Sequence, residues 1–255
     1  MIHAEDPYVR GVLVDELRRS GRRDYLTGWA ETSPEWAETV QIYTHGHIAN
    51  QLGCPLYPVY ISSAQSVDTI ATLKAQGFPI VGETLAYFLS TTAPEMGAKG
   101  ADAKGKIQPP IRFEKDRERL WRGIKDGTLS VVGTDSLTYS ARFKASGDFW
   151  DCRVGVNMQV ADTLALLFDE AINHRGVDLL TLARSTLRKR SENIWYLSKK
   201  RGRGCRIRRR LGCDRQECHD RRAFDLSAFT QGIVGAFAVA STTKCQFDIR
   251  VAEPR

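Results

Sequence analysis

Asp135 closes the apolar run Leu129-Ser130-Val131-Val132-Gly133-Thr134-Asp135, after which the chain turns polar. A carboxylate so placed can ligate a metal ion or take a proton from a metal-bound water. Taken alone, an Asp at a strand end is more often a turn or helix-cap residue, so its neighbours must decide. His3-Ala4-Glu5 follows almost nothing, so if His3 ends a strand, the earlier residues of that strand are missing from this sequence. His45-Gly46-His47 has the composition of a metal-binding pair but falls in a segment that reads as a helix. Residues two apart on a helix point about 200° apart, so the two imidazoles do not reach one ion. Cys205, Cys213, Cys218 and His219 lack the closely spaced pairs that make a strong zinc signal.

These candidates need elements to hold them. Val131 and Val132 predict a buried strand, and Gly133-Thr134 lets the backbone turn as it leaves the sheet. Pro34-Glu35-Trp36-Ala37-Glu38 opens a helix toward Gln51, with Pro34 at an early helical position and acids in the first turn. Leu56 to Ile61 reads as a buried strand, Ser66 to Gln76 as a helix stopped by Gly77, and Phe78 to Gly82 as the next strand. Glu114 to Asp126 is helical with Gly127 as its C-cap, and a further helix covers Gln159 to Ile172. Ala93 to Lys106, with three glycines, is expected to be a mobile surface loop. Strands separated by helices at this spacing predict a parallel α/β architecture, in which strand-end residues collect into one site.

The chain has 255 residues and a net charge of +7, with an apolar fraction of 42% and a charged fraction of 26%. That is ordinary for a globular protein and enough for a substantial core. Between Lys199 and Arg222 there are eleven Lys or Arg against three acids, a local +8 that leaves the other 231 residues at −1. Four of the six cysteines likewise fall within the last 51 residues. A boundary near residue 200 is therefore expected, with residues 1–200 as one domain and 201–255 as a basic, Cys-rich, poorly ordered tail. The Arg-rich run Arg206 to Arg210 lacks interleaved aromatics, which argues against nucleic-acid binding through it. No stretch has the length to span a bilayer and no secretory signal opens the chain, so a cytoplasmic protein is the default expectation.

Seven segments taken in order carry a resemblance. They are His3-Ala4-Glu5; Gly53 to Ser63; Gly82-Glu83-Thr84; Pro109-Pro110-Ile111-Arg112; Leu120-Trp121-Arg122-Gly123; Val132-Gly133-Thr134-Asp135; and Ser191-Glu192-Asn193 with Lys199-Lys200. In order and spacing, residues 1 to about 200 resemble the second half of the dihydropyrimidinases and hydantoinases, a family of cyclic amidohydrolases. The resemblance implies the latter part of a (β/α)8 barrel, in which two zinc ions share a hydroxide that attacks a ring amide carbonyl. Asp135 matches the family's metal-binding, proton-shuttling Asp, and His3 matches one of its imidazole ligands. Gln108 and Asn157 fall where the resemblance implies substrate contacts.

The departures are equally specific. Tyr60 occupies a position where the family has a metal-binding His, and a phenol is a poor replacement for imidazole. Gln108 replaces the Ser that precedes the Pro pair. The family's His-x-His pair and carboxylated lysine would lie before Met1. His3 and Asp135 alone fall short of the three protein ligands usual for a catalytic zinc. The expectation is thus a truncated cyclic amidohydrolase, inactive as this chain, with no metal or a weakly held one. It is expected to associate with itself or with a missing N-terminal half; the alternatives are a non-catalytic subunit that needs a partner and a nucleic-acid-binding protein acting through the basic tail. Residues 206–215, back-translated and reread one base later, can give Gly-Ser-Asp-Ala-Asp-Leu-Val-Val-Ile-Asp, the strand that follows Lys-Lys-Gly in the family. A frameshift upstream of the tail would account for its arginines and cysteines together.

Overall fold

A computed structural model describes residues 1–136, 144, 148–150, 152–155 and 160–188. Asn157, the Ser191 to Lys200 motif, the basic segment and the 201–255 tail lie outside the described residues.

Parallel strands alternate with helices, as the spacing predicts. The order runs β1 (Ile2–His3), α1 (Pro7–Ser20), α2 (Tyr25–Glu31), α3 (Glu35–Gln51), β2 (Pro58–Val59), α4 (Ala64–Ala75) and β3 (Gly82–Leu85). It continues with α5 (Ala86–Ser90), α6 (Ala93–Ala98), α7 (Asp102–Gly105), α8 (Glu114–Asp126) and β4 (Leu129–Gly133). Then come α9 (Val160–Phe168), a π-helical turn (Asp169–His174), α10 (Leu179–Ala183) and a second π-helical turn (Arg184–Arg188). β1 pairs with β2, β3 pairs with β4, and a parallel bridge from Leu56 to Ile80 joins the two pairs. The four strands thus neighbour one another in chain order, all parallel, with helices between them, the arrangement of a β/α unit repeated along a sheet.

Local chemistry sets the helix ends. Asp6 accepts hydrogen bonds from the backbone N–H of Tyr8 and Val9 at 3.0 and 3.1 Å, capping α1. Ser63 caps α4 through Ser66 N–H at 3.2 Å. Gly127 ends α8 at φ 79°, a left-handed conformation that a Cβ would strain. The two faces of the sheet diverge as alternating side chains require. Val131 packs with Tyr57 and Val59 on one face, while Val132 joins a larger core with Ile70, Leu73, Leu120 and Trp121 beneath the helices.

Several boundaries differ from expectation. Pro34 lies just outside α3 in extended backbone rather than within its first turn. The Leu56 to Ile61 strand shrinks to Pro58–Val59: Leu56 makes only an isolated bridge to Ile80, and the positive φ of Tyr60 turns the backbone after Val59. The following strand starts at Gly82, not Phe78, and only Ile80 of the earlier residues bridges to a neighbour. The helix expected to Ile172 leaves α-geometry at Phe168 and continues as a π-turn.

The largest correction concerns Ala93 to Lys106, which forms α6 and α7 rather than a loop. Thr92 and Glu95 make a reciprocal capping box, Glu95 N–H to Thr92 Oγ1 at 3.3 Å and Thr92 N–H to Glu95 Oε2 at 2.9 Å. Lys106 then anchors the segment from inside, its buried Nζ donating to the carbonyls of Phe149, Trp150 and Cys152 at 2.8, 3.0 and 3.0 Å. Lys144, also buried, donates to the carbonyls of Lys106 and Arg153 at 2.7 and 2.6 Å.

Burial pushes the Lys144 ammonium down to about 8, with the nearby Lys106 charge adding to the effect and Cys152 opposing it. The unfolded chain keeps that proton up to a higher pH, so between pH 8 and 10 the unfolded state binds more protons and stability rises with pH. Lys144→Met is expected to flatten this rise by about 1–3 kcal/mol. Urea denaturation of both proteins at pH 8 and 10 measures the difference, and parallel pH profiles would contradict the assignment.

Candidate functional site

Three of the residues picked from the sequence meet beyond the carboxyl ends of the strands. His3 is the last residue of β1, Tyr60 follows β2, and Asp135 lies two residues past β4. The Tyr60 hydroxyl donates to Asp135 Oδ1 at 2.9 Å, and the His3 and Tyr60 rings meet edge-on with centroids 5.4 Å apart. Among the described residues, Tyr60 and Asp135 are the two non-glycine residues with positive φ, 64° and 44°. An Asp tolerates this region, but a Tyr held there is strained, and such strain gathers where side chains must be aimed. Here the aim is at each other.

Burial raises the Tyr60 phenol to about 12, helped by the hydrogen bond to Asp135, its charge and that of Glu83. The phenol therefore keeps its proton at neutral pH and acts as a donor. Deeper in the sheet, Tyr57 donates to Glu83 Oε2 at 2.5 Å. Thr84 donates to the Ile61 carbonyl at 2.7 Å, so the two polar residues of β3 are buried and satisfied.

Glu5 is the hub of the other half of the cluster. His3 Nε2 lies 3.3 Å from Glu5 Oε2, and both Ser33 Oγ and Gln108 Nε2 donate to Glu5 Oε1. Burial pushes the Glu5 carboxyl upward, but hydrogen bonds from His3, Ser33 and Gln108 and the Arg10 charge outweigh it and hold it below the usual range. Gln108 Oε1 is buried without a partner among the described residues. Gln108 thus reaches the cluster, although its amide N–H is already committed to Glu5. Glu5, Ser33 and Arg10 were not singled out from the sequence. The signal for Glu5 was its place in the His3-Ala4-Glu5 run, whereas Arg10, from α1, and Ser33, from the turn between α2 and α3, carried none.

A buried network positions the backbone that follows Tyr60. The Glu38 carboxylate accepts from Ser62 N–H at 3.1 Å and from the hydroxyls of Ser62 and Ser63, the latter at 3.2 Å. Arg112 stands over it, Nη2 3.4 Å from Glu38 Oε2, Nε donating to Ser62 Oγ at 2.8 Å and Nη1 to the Ser33 carbonyl at 2.5 Å. Both side chains are almost wholly buried, at 4% and 1% exposure. The His45 and His47 side chains part as helix geometry requires. His45 Nδ1 meets the Gln41 carbonyl at 2.8 Å, while His47 packs against Tyr43 and Phe78.

The described part of this architecture is found in known proteins. No family model matches the sequence. An allantoinase of Solibacter usitatus is 31% identical over 188 residues, covering 72% of this chain and 40% of that protein. A dihydroorotase of Leifsonia xyli subsp. xyli is 34% identical over 143 residues, 56% of this chain and 31% of its own length. The crystal structure of a D-hydantoinase superposes with a TM-score of 0.65 at 25% identity, over 72% of this chain and 41% of that one. Over this part, the chain is similar to cyclic amidohydrolases. A dihydropyrimidinase from Brevibacillus agri gives the same answer, with a TM-score of 0.64 and 25% identity. The α/β architecture is therefore one that cyclic amidohydrolases share. The chain spans about two fifths of the length of the allantoinase it matches.

The residues present do not fit a family-type zinc centre. Among the described residues, no three His, Cys, Asp or Glu side chains converge to hold an ion. His3 faces Glu5, and the Asp135 carboxylate is taken by a phenol. A catalytic zinc asks for about three protein donors and an open position. No helix among the described residues is long and apolar enough to cross a membrane.

Proposed function

We propose that this chain supplies the last four strands of a (β/α)8 amidohydrolase barrel and does not open a cyclic amide ring by itself. The observation that carries the reading is the Tyr60–Asp135 hydrogen bond at 2.9 Å, which occupies the carboxylate that the family resemblance makes a metal ligand and proton shuttle. In an intact site of this kind, bound zinc would supply a hydroxide near neutral pH and polarise the ring carbonyl. His3 and Asp135 are the residues here that match such ligands, and Gln108, which reaches the cluster, would face the ring substrate. The four described strands do not by themselves close a barrel, and an open sheet leaves backbone N–H and C=O groups at its edges. A second chain, either another copy or a polypeptide bearing the first half, would cover them. The proposed division at residue 200 and the shifted reading frame beyond it belong to this account, and DNA sequencing around codons 198–204 tests the latter.

The purified chain, supplied with zinc, is expected to open hydantoin, dihydrouracil, allantoin and dihydroorotate no faster than buffer does, as followed by loss of ring absorbance and by chromatography. Turnover of any of the four that disappears in Asp135→Asn would overturn the proposal. Coexpression with a polypeptide carrying a His-x-His strand tests the partner, with a stable complex as the expected result.

A further inference from the structure

We infer that the outer face of α3 is a docking surface for α3 of a second copy of this chain, the two helices packing antiparallel about a two-fold axis between Val40 and Tyr43. The surface is the solvent side of a helix, not a sheet edge or a strand end, so the inference stands whether or not the chain opens a ring.

From Thr39 to Val67 the sequence carries no Asp, Glu, Lys or Arg, although 26% of the chain is charged. That stretch includes most of α3, whose inner face is ordinary: Ile42 and Ala49 join the main core and Glu38 is buried. A surface helix should turn charged or polar residues to the other side. α3 instead presents Trp36, Val40 and Tyr43, which are 51%, 51% and 53% exposed. At about 100° per residue the three fall within about 60° of one another. A helix apolar on both faces is one that is covered on both faces. Among the described residues, the neighbours of α3 take its flanks and leave this face open. Thr39 Oγ1 lies 3.3 Å from Ser66 Oγ of α4, and on the other flank Gln41 Nε2 donates to Oδ2 of Asp6, the N-cap of α1, at 3.3 Å. Ile48, also exposed, lies two turns beyond Gln41 on that flank, where a preceding β/α unit of a barrel would pack, and belongs to a different surface.

The spacing of the outer stripe points to its occupant. Trp36, Val40, Tyr43 and His47 follow one another at four, three and four residues, the rhythm of a seam between two helices, and the His47 ring packs on Tyr43 with centroids 4.4 Å apart. Reversed about its midpoint, the stripe meets itself: Val40 of one copy faces Tyr43 of the other, and Trp36 faces His47. A two-fold axis sets identical surfaces against each other, so charges near it would meet their like. This stripe has none, in a chain whose net charge is +7. A lipid surface would instead call for Lys or Arg beside the apolar residues, and α3 has neither. The half-exposed Trp36 and Tyr43 offer about 100 Å² each and the whole stripe about 300–400 Å² per copy, below the roughly 800 Å² per partner of a standard interface. The dimer is therefore weak and concentration-dependent.

The test is sedimentation equilibrium of the full-length protein from about 1 to 200 µM, with its Tyr43→Glu and Val40→Lys variants alone and mixed. The parent is expected to pass from monomer to dimer with a Kd of about 10–100 µM, and each variant to weaken the dimer roughly ten-fold or more by setting a charge in the seam. An equimolar mixture of the two variants is expected to recover the parent's affinity within about three-fold, because the reversed pairing sets the new carboxylate of one copy against the new ammonium of the other. Circular dichroism checks that each variant keeps the parent's fold. Should one not fold, the other alone decides: loss of the dimer supports the inference and unchanged association overturns it. A parent that stays monomeric throughout would overturn it, whether or not it floats with vesicles of zwitterionic lipid. So would a dimer that neither substitution weakens, which would leave the sheet edges as the contact, or a mixture no better than its parts.

Discussion

Arg112→Met is expected to lower folding stability by about 3–5 kcal/mol, the usual consequence of removing one partner from a buried ion pair. The Glu38 carboxylate would stay behind, 1% exposed, with the Ser62 and Ser63 donors but no countercharge. The Ser33 carbonyl would lose its guanidinium donor as well. Such a loss is a large fraction of the roughly 5–15 kcal/mol that holds a typical domain. Urea denaturation of the parent and variant measures it. Replacing both partners, Glu38→Leu with Arg112→Met, should cost less than the single change because no charge is stranded. A single variant within 1 kcal/mol of the parent would show that the network does not hold the backbone after Tyr60.

Trp121→Ala is expected to cost a similar amount, about 3–5 kcal/mol, through a different cause. The indole is 2% exposed within the main core, and its Nε1–H donates to the Leu89 carbonyl at 2.8 Å. Truncation opens a cavity between α8 and α5 and leaves that carbonyl without its donor. Trp121→Phe keeps most of the volume and removes only the hydrogen bond, so it should cost about 1–2 kcal/mol. Thermal and urea unfolding of both variants separate the two contributions. Equal losses would mean that the hydrogen bond, not the packing, carries the effect.

Legibility in the sequence followed the kind of signal each element carries. α8 was readable from end to end, because acids open it, an apolar stripe runs along it and Gly127 stops it in a conformation suited to glycine. β4 was readable because Val131 and Val132 are apolar on opposite faces and both faces are covered. β3 was misplaced for the converse reason. The expected strand stopped at Gly82, before the polar Glu83 and Thr84, whereas both are buried and each has a partner from the neighbouring chain segment, Tyr57 or Ile61. Partners distant in sequence leave no local pattern. The 93–106 segment did carry a local signal, the Thr-x-x-Glu of a capping box, which three glycines obscured. The corresponding tertiary signal, the burial of Lys106 against three carbonyls, could not be seen in composition.

At the site, Asp135 was legible because it closes an apolar strand, where a parallel α/β sheet gathers its chemistry, whereas His3 and Tyr60 were picked out by the resemblance to the hydantoinases. Their meeting is a finding of the structure. So is the role of Glu5, whose four partners come from residues 3, 10, 33 and 108. A hub assembled from such separated positions is invisible until the chain is folded.

Crystals of the parent protein grown with zinc, measured on both sides of the zinc absorption edge, put the central claim to its most direct test. The expected result is the Tyr60 hydroxyl on Asp135 Oδ1, with no anomalous peak within about 3 Å of that carboxylate. Two zinc peaks bridged at Asp135 and ligated by His3, with the phenol swung aside, would contradict the account.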